Sequence, residues 1–169
     1  EPLPVSICIG SDPMSLLASQ AILPLNTDEL EVAGGLLKQP LNVVKSITNE
    51  VRVPASSEIV IEGRLLPEVR EMEGPFGEFP QYYGPAGNRQ VIKIDAITHR
   101  KQPVFHTIVP AAMEHLLLGA IPREASILTA LQRQFSNVID VHLSRGGVCR
   151  YPLAVKVKKR LEGEPKNII

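Results

Sequence analysis

Excess charge of either sign is missing from this sequence. Its 18 basic and 18 acidic side chains cancel, so it carries no electrostatic footprint for DNA, RNA or an anionic membrane. Cysteine is scarce as well. The two present, Cys8 and Cys149, sit in apolar, strand-like runs, form no CxxC and no metal-ligand spacing, and are expected to be buried free thiols in a reducing cytoplasm. No apolar run reaches the roughly 18 residues that a membrane-spanning helix needs. Internal repeats and low-complexity tracts are also lacking. The chain opens on Glu1 rather than Met and closes on the apolar pair Ile168-Ile169, from which we expect a piece of a longer protein.

What is present fits one ordinary soluble domain. The 169 residues are 44% hydrophobic and 21% charged, enough to bury a core without staples. Val5 to Gly10 alternates like a strand. Ser11-Asp12-Pro13 reads as a helix start, with a helix over Met14 to Ala21. A second helix is predicted from Asn26 to about Leu37, weakened at Gly34-Gly35, with Asn26 and Glu29 at capping-box spacing. Strands follow at Leu41–Thr48, Glu58–Gly63, Val91–Thr98 and Pro103–Val109, then helices at Met113–Gly119 and Arg123–Phe135, then strands at Val138–Leu143 and Tyr151–Val157. Antiparallel strands with interspersed helices predict an α+β domain built on a barrel or curved sheet.

The segment with most chemical promise is Glu73-Gly-Pro-Phe-Gly-Glu78. Two carboxylates flank a turn whose glycines and proline set the backbone path and let it approach a bulky group. Carboxylates held close together have their pKa values driven apart, which makes one a proton donor near neutral pH. Spacing alone, however, favours an exposed turn with solvated glutamates. His99, His106, His115 and His142 have no ligand spacing, and Ser56-Ser57 has no base placed to activate a nucleophile. Glu58 and Glu62 read as structural, paired on a sheet.

Val53-Pro-Ala-Ser-Ser-Glu-Ile-Val-Ile-Glu-Gly63, then Glu73 to Glu78, then Tyr82-Tyr83, closely resembles the signature stretch of the UbiD family of prenylated-FMN-dependent (de)carboxylases. Looser matches (Asp12-Pro13, Ser19 to Ala21, Asp28-Glu29, Gly34 to Leu37, Val44-Lys45, Thr48-Asn49, Leu118-Gly119, Pro152 to Val157) extend the resemblance along the chain. It implies a split β-barrel of flavin-reductase type with flanking helices, forming the single central domain (1–169) of a protein whose N- and C-terminal domains are absent here.

The same resemblance implies site roles. Glu78 matches the residue that delivers or removes the proton at the substrate carbon, and Glu73 the one that pairs with a catalytic arginine. That arginine is expected before residue 1. Glu29 matches a carboxylate ligand of a divalent metal, Mn²⁺ or Mg²⁺, that ties the cofactor phosphate to the protein, its Asn and His partners again lying upstream. Ser19, Gln20 and Ala21 match a turn whose main chain holds the flavin phosphate and a monovalent cation such as K⁺, with Gln20-Ala21 departing from the usual Ser-Met. Leu118 matches an apolar position of the substrate pocket. The implied activity is reversible, non-oxidative decarboxylation of an aromatic or α,β-unsaturated carboxylic acid, with a flavin prenyltransferase as cofactor supplier and a homo-oligomeric, cytoplasmic enzyme. The fragment alone is expected to be inactive. A non-catalytic flavin- or phosphate-binding module, or a structural fragment of the same fold, is the competing reading.

Overall fold

The computed structural model describes residues 1–168; Ile169, half of the terminal apolar pair, lies outside the described residues. Element order is β1 (Leu3–Ile9), α1 (Pro13–Ala18), α2 (Glu29–Leu37), β2 (Val43–Lys45), β3 (Arg52–Pro54), β4 (Ile59–Glu73), β5 (Phe76–Gly77), β6 (Tyr83–Gly84), β7 (Gly87–His99), α3 (Met113–Gln134), β8 (Val138–Leu143) and β9 (Leu153–Val157). Strands and helices thus mix along the chain, as the hydrophobic patterning predicts. No helix among the described residues is long and apolar enough to cross a membrane.

The largest sheet is antiparallel, in the order β1-β4-β7. Its register stacks Ile7, Ile61 and Ile97 in one row across the three strands, the β-branched cross-strand packing that stabilises a sheet. Pairs β2-β3, β5-β6 and β8-β9 form separate two-stranded sheets. The described residues contain no closed barrel, because β1 and β7 remain the outer edges of the main sheet. The split barrel suggested by the sequence therefore reduces to a mixed fold of helices and small open sheets.

Several elements depart from the sequence reading for local reasons. Strand β4 continues ten residues beyond Gly63, passing bulges at Glu62/Gly63 and Leu66/Arg70 before pairing resumes. The two helices expected around 113–135 are one, with Pro122 inside it. The stretch 103–109 forms no strand; Pro103 and Pro110 have no N–H to donate, and the segment is instead tethered where Val104 N–H donates to Glu58 Oε2 at 3.2 Å. Helix α2 is capped by Asp28, which accepts from Leu30 N–H at 2.9 Å, whereas Asn26 takes a left-handed φ of 69°. Cys149 is not in a strand: it has a φ of 54° and follows the short 3-10 turn Arg145–Gly147.

Helix α3 is where the packing converges. Leu116 and Ala120 on its first turns bury together with Cys149, and Phe79 and Val148 pack against that cluster. Farther along, α3 packs on β8 and touches α1, while α1 meets α2, each of the two burying one small residue, Ala18 and Ala33.

Candidate functional site

The hairpin of β4 and β7 ends in the acidic segment. Beyond the second bulge its register runs from Arg70↔Gln90 out to Glu73↔Gly87. The chain then turns through Gly74, whose φ of +86° would strain any side-chain-bearing residue and where a Cβ would stand a tight 3.3 Å from the Phe76 nitrogen. Phe76-Gly77 pairs with Tyr83-Gly84. The loop between them is closed by Glu78 N–H donating to Tyr82 O at 3.0 Å and Gln81 N–H donating to Glu78 O at 3.1 Å. Glu73 therefore stands at a strand end, and Glu78 in a tight loop whose backbone is hydrogen-bonded.

Two contacts compete to anchor this turn. Glu73 Oε2 lies 3.8 Å from Arg89 Nε, with both side chains more than half exposed. An exposed pair of this kind contributes at most about 1 kcal/mol. Phe79, next to Glu78, packs instead on Leu116, Ala120 and Cys149, and full burial of such a ring contributes about 1.5–3 kcal/mol. Even with Phe79 only partly buried, packing outweighs the ion pair. The acidic turn is pinned to α3 through its aromatic neighbour, with Gly77 lying beside Pro110.

Leu118, half-buried, is on that same helix, about 200° around it from Leu116, so turn and candidate pocket residue share one support. Glu78 itself is exposed. The apolar enclosure that keeps a carboxyl protonated near neutral pH is not formed by the described residues.

Ser19, Gln20 and Ala21 lie at the C-terminal end of α1. Their N–H groups already donate to Ser15 O, Leu17 O and Ala18 O, and the Ser19 hydroxyl donates to Leu16 O at 2.8 Å. A phosphate needs free N–H donors, and these three are engaged. What this helix end presents is carbonyl oxygens, the donor type that suits a monovalent cation. Ala21 also edges an apolar groove of about 610 Å³, whose walls include Leu17 and Ile22 on one side and Ile121, Pro122 and Ala125 of α3 on the other. Leu118 is not among its walls.

Glu29 begins α2, exposed to solvent. Its neighbour Asp28 is engaged by the helix cap and by Arg52 at 3.3 Å. Among the described residues no group of three or more His, Cys, Asp or Glu side chains could hold a metal ion. Glu29 supplies one hard oxygen donor and these residues alone do not complete a centre.

Sequence reasoning missed Arg89, Phe79 and Arg150. Arg89 meets Glu73 only through a register that crosses two bulges. Arg150 comes from the far end of the chain, its guanidinium carbon 4.9 Å from the centroid of the Phe79 ring. No local pattern in the sequence announces either contact.

The family model described as the 3-octaprenyl-4-hydroxybenzoate carboxy-lyase Rift-related domain matches residues 1–113, and that of the C-terminal domain of the same carboxy-lyase matches 116–169. The two matches meet at the first turn of α3. Among solved structures, an evolved dimeric form of the UbiD-class enzyme HmfF from Pelotomaculum thermopropionicum in complex with prFMN is 54% identical, with a TM-score of 0.97 over 99% of this chain and 39% of its own. The open form of vanillic acid decarboxylase from Sedimentibacter hydroxybenzoicus is 32% identical, with a TM-score of 0.92 over 99% of this chain and 37% of its own. Anhydromevalonate phosphate decarboxylase of Methanothermobacter thermautotrophicus is 38% identical over all of this chain and 40% of that protein. The chain thus spans about two-fifths of the length of each of these relatives.

Proposed function

The chain belongs to the UbiD carboxy-lyase family, and from that membership we propose that the intact protein is a reversible non-oxidative decarboxylase that uses prenylated FMN. Its substrate class is an aromatic or α,β-unsaturated carboxylic acid. The observation that carries the reading is the acidic turn: Glu78 is fixed in a hydrogen-bonded loop, and Phe79 pins that loop to the helix bearing Leu118. The decarboxylases among the relatives, and the prFMN bound by the HmfF structure, support it.

Prenylated FMN, when bound, supplies the electron sink for loss of carbon dioxide. This chain contributes position and a proton. As the carbon–carboxylate bond breaks, Glu78 gives its proton to the carbon left behind, and in the reverse direction takes it back. Glu73 pairs with and orients the guanidinium of a catalytic arginine from outside these residues; within this chain Arg89 lies 3.8 Å from it. Leu118 lines the apolar side of the substrate pocket. Glu29 gives one oxygen to a divalent metal, Mn²⁺ or Mg²⁺, whose other ligands come from outside these residues. The carbonyls around Ser19 to Ala21 suit a K⁺-like cation, which leaves the cofactor phosphate to the metal and to donors elsewhere.

The same reading makes these residues the central unit of a cytoplasmic homo-oligomer, its open three-stranded sheet part of a split β-barrel of flavin-reductase type, served by a flavin prenyltransferase. The isolated 169-residue chain is inactive on this reading, because Glu78 is exposed and the metal ligands are incomplete.

The test is made on the full-length protein. Incubated with prenylated FMN and manganese and then desalted, it should retain flavin absorbance and catalyse deuterium exchange from solvent at the substrate's α-carbon. Glu78→Gln should keep the flavin and lose the exchange by at least about 100-fold, the range that a positioned general acid supplies. A wild-type protein that retains no flavin ends the enzyme reading; normal exchange in Glu78→Gln ends the assignment of the proton.

A further inference from the structure

Arg150 is a further point of contact between the acidic turn and the rest of the chain, and it has no carboxylate partner among the described residues. Its guanidinium stacks on Phe79 at 4.9 Å. One nitrogen, Nη1, donates to Leu116 O at 3.3 Å and to Cys149 O at 3.1 Å, so the plane is held from both sides of its own cluster. Space for it is made by Gly119, where a Cβ would stand 2.0 Å from Nη2; even alanine there would displace the arginine. The group is partly desolvated, which, together with the charge of Arg123, pushes its pKa down. Surface arginines usually find acids or water, whereas this one is half-buried against two carbonyls and a ring, an arrangement with some cost in hydration. Phe79 belongs to the part of the chain matched by the Rift-related domain, and Arg150 to the part matched by the C-terminal domain.

We propose that Arg150 is a positioning residue that reaches across from the C-terminal part of the chain, stacks on Phe79 and thereby fixes where the Glu78 loop is held against α3. The inference rests on the reading of Glu78 as the proton-transfer group and extends it to a residue about seventy positions away in the chain, by the numbering of the two. A cation over a phenylalanine is attracted to the face of the ring rather than its edge, so the contact has a directional preference. Its effect is therefore on the geometry of a small loop rather than on global stability. Misplacing a reacting group by about 1 Å can cost on the order of 100-fold in rate, so a modest contact can have a large kinetic effect.

The full-length protein loaded with prenylated FMN provides the test, using Arg150→Met, Arg150→Lys and Phe79→Leu. Arg150→Met should lower kcat for α-carbon deuterium exchange by about 10-fold to 100-fold while flavin content and substrate KM stay at wild-type levels. Arg150→Lys, which keeps a cation over the ring, should recover most of that loss. Phe79→Leu should cause a similar fall, and adding Arg150→Met to it should cause little more, because the two act as one contact. Independently of turnover, the amide protons of Glu78 and Gln81 should exchange at least about 10-fold faster in Arg150→Met, with β4–β7 amides unchanged. Unaltered exchange of those two amides overturns the proposal, as does a fall in kcat fully matched by lost flavin, or additive effects of the two substitutions. Should the wild type show no turnover at all, it is the reading of Glu78 that fails, and the amide exchange alone decides whether Arg150 holds the loop.

Discussion

At the scale of single residues, the most tightly specified polar group is Glu62, only 2% exposed. It stands on the face of β4 that also buries Val60, two residues earlier in the strand's alternation. Its carboxylate accepts from Ile47 N–H at 3.0 Å, from Thr48 N–H at 2.7 Å and from the Thr48 hydroxyl at 2.6 Å. Burial is the strongest influence on this carboxyl and pushes it up, but the Thr48 hydroxyl and the two backbone donors together outweigh it and hold the group below the usual glutamate range. A carboxylate lowered on folding stabilises the protein above its unfolded pKa, about 4.3, and that contribution is lost as pH falls through the folded value. Urea titrations should therefore show a midpoint that declines below about pH 4.5. Glu62→Gln should lose about 2–3 kcal/mol at neutral pH, since the amide has a single acceptor oxygen and turns its NH2 group toward donors that the second carboxylate oxygen now satisfies, and its acid decline should be shallower. A variant with wild-type stability and the same pH profile would show that the loop 46–51 is held by something else. The sequence marks Glu62 as structural and places its partner on the sheet, whereas the structure gives it donors on the loop. Its partners are loop amides some fifteen positions earlier in the chain, which no periodicity reveals.

At the scale of elements, α3 bears most of the weight. Its 22 residues include Pro122, which cannot donate to Leu118 O and crowds that carbonyl. Leu116 and Ala120 are 4% and 2% exposed on the cluster with Cys149, and this packing holds the helix together through the proline. Pro122→Ala should restore one hydrogen bond and raise stability by up to about 3 kcal/mol, read as a higher urea midpoint. If the midpoint instead falls, the ring's packing in the apolar groove beside Ala21 outweighs the missing bond.

The same helix shows what could be read beforehand. Apolar spacing locates both of its halves, 113–119 and 123–135, but leaves the residues between them unassigned, where the structure carries one helix through Pro122. Gly119 is there for the Arg150 guanidinium, a reason that lies thirty-odd positions away. Likewise β4 was legible over Ile59–Gly63, where it alternates, and hidden beyond its bulges, where Pro67 and a run of exposed residues conceal the arm that delivers Glu73. The motif was visible as residues. Its setting, an exposed turn anchored by Phe79, was not, because the anchor is a contact between distant segments.

At the scale of the whole molecule, surface area carries the argument. The chain exposes 11831 Å² for a mass of 18.5 kDa, whereas a compact monomer of that mass exposes about 8,200 Å². An excess of that size is not made of scattered side chains. Phe76, Tyr82, Tyr83, Val104 and Phe105 are each more than 60% exposed; the first lies within the acidic turn and the next two just after it. A neutral chain lacks the net charge that keeps such surface apart in solution. The relatives of known structure are about two and a half times as long, since this chain covers 39% of one and 37% of another, and in such a setting further polypeptide can cover this area. Small-angle scattering of the isolated chain should therefore give a radius of gyration well above the roughly 15.5 Å of a compact domain of this length, together with strong binding of a hydrophobic dye. In the full-length protein the dye signal per mole should drop several-fold. A compact, dye-silent fragment would mean that the open sheet and the exposed aromatic side chains close on themselves in solution. Glu78 could then gain its apolar enclosure without any further segment.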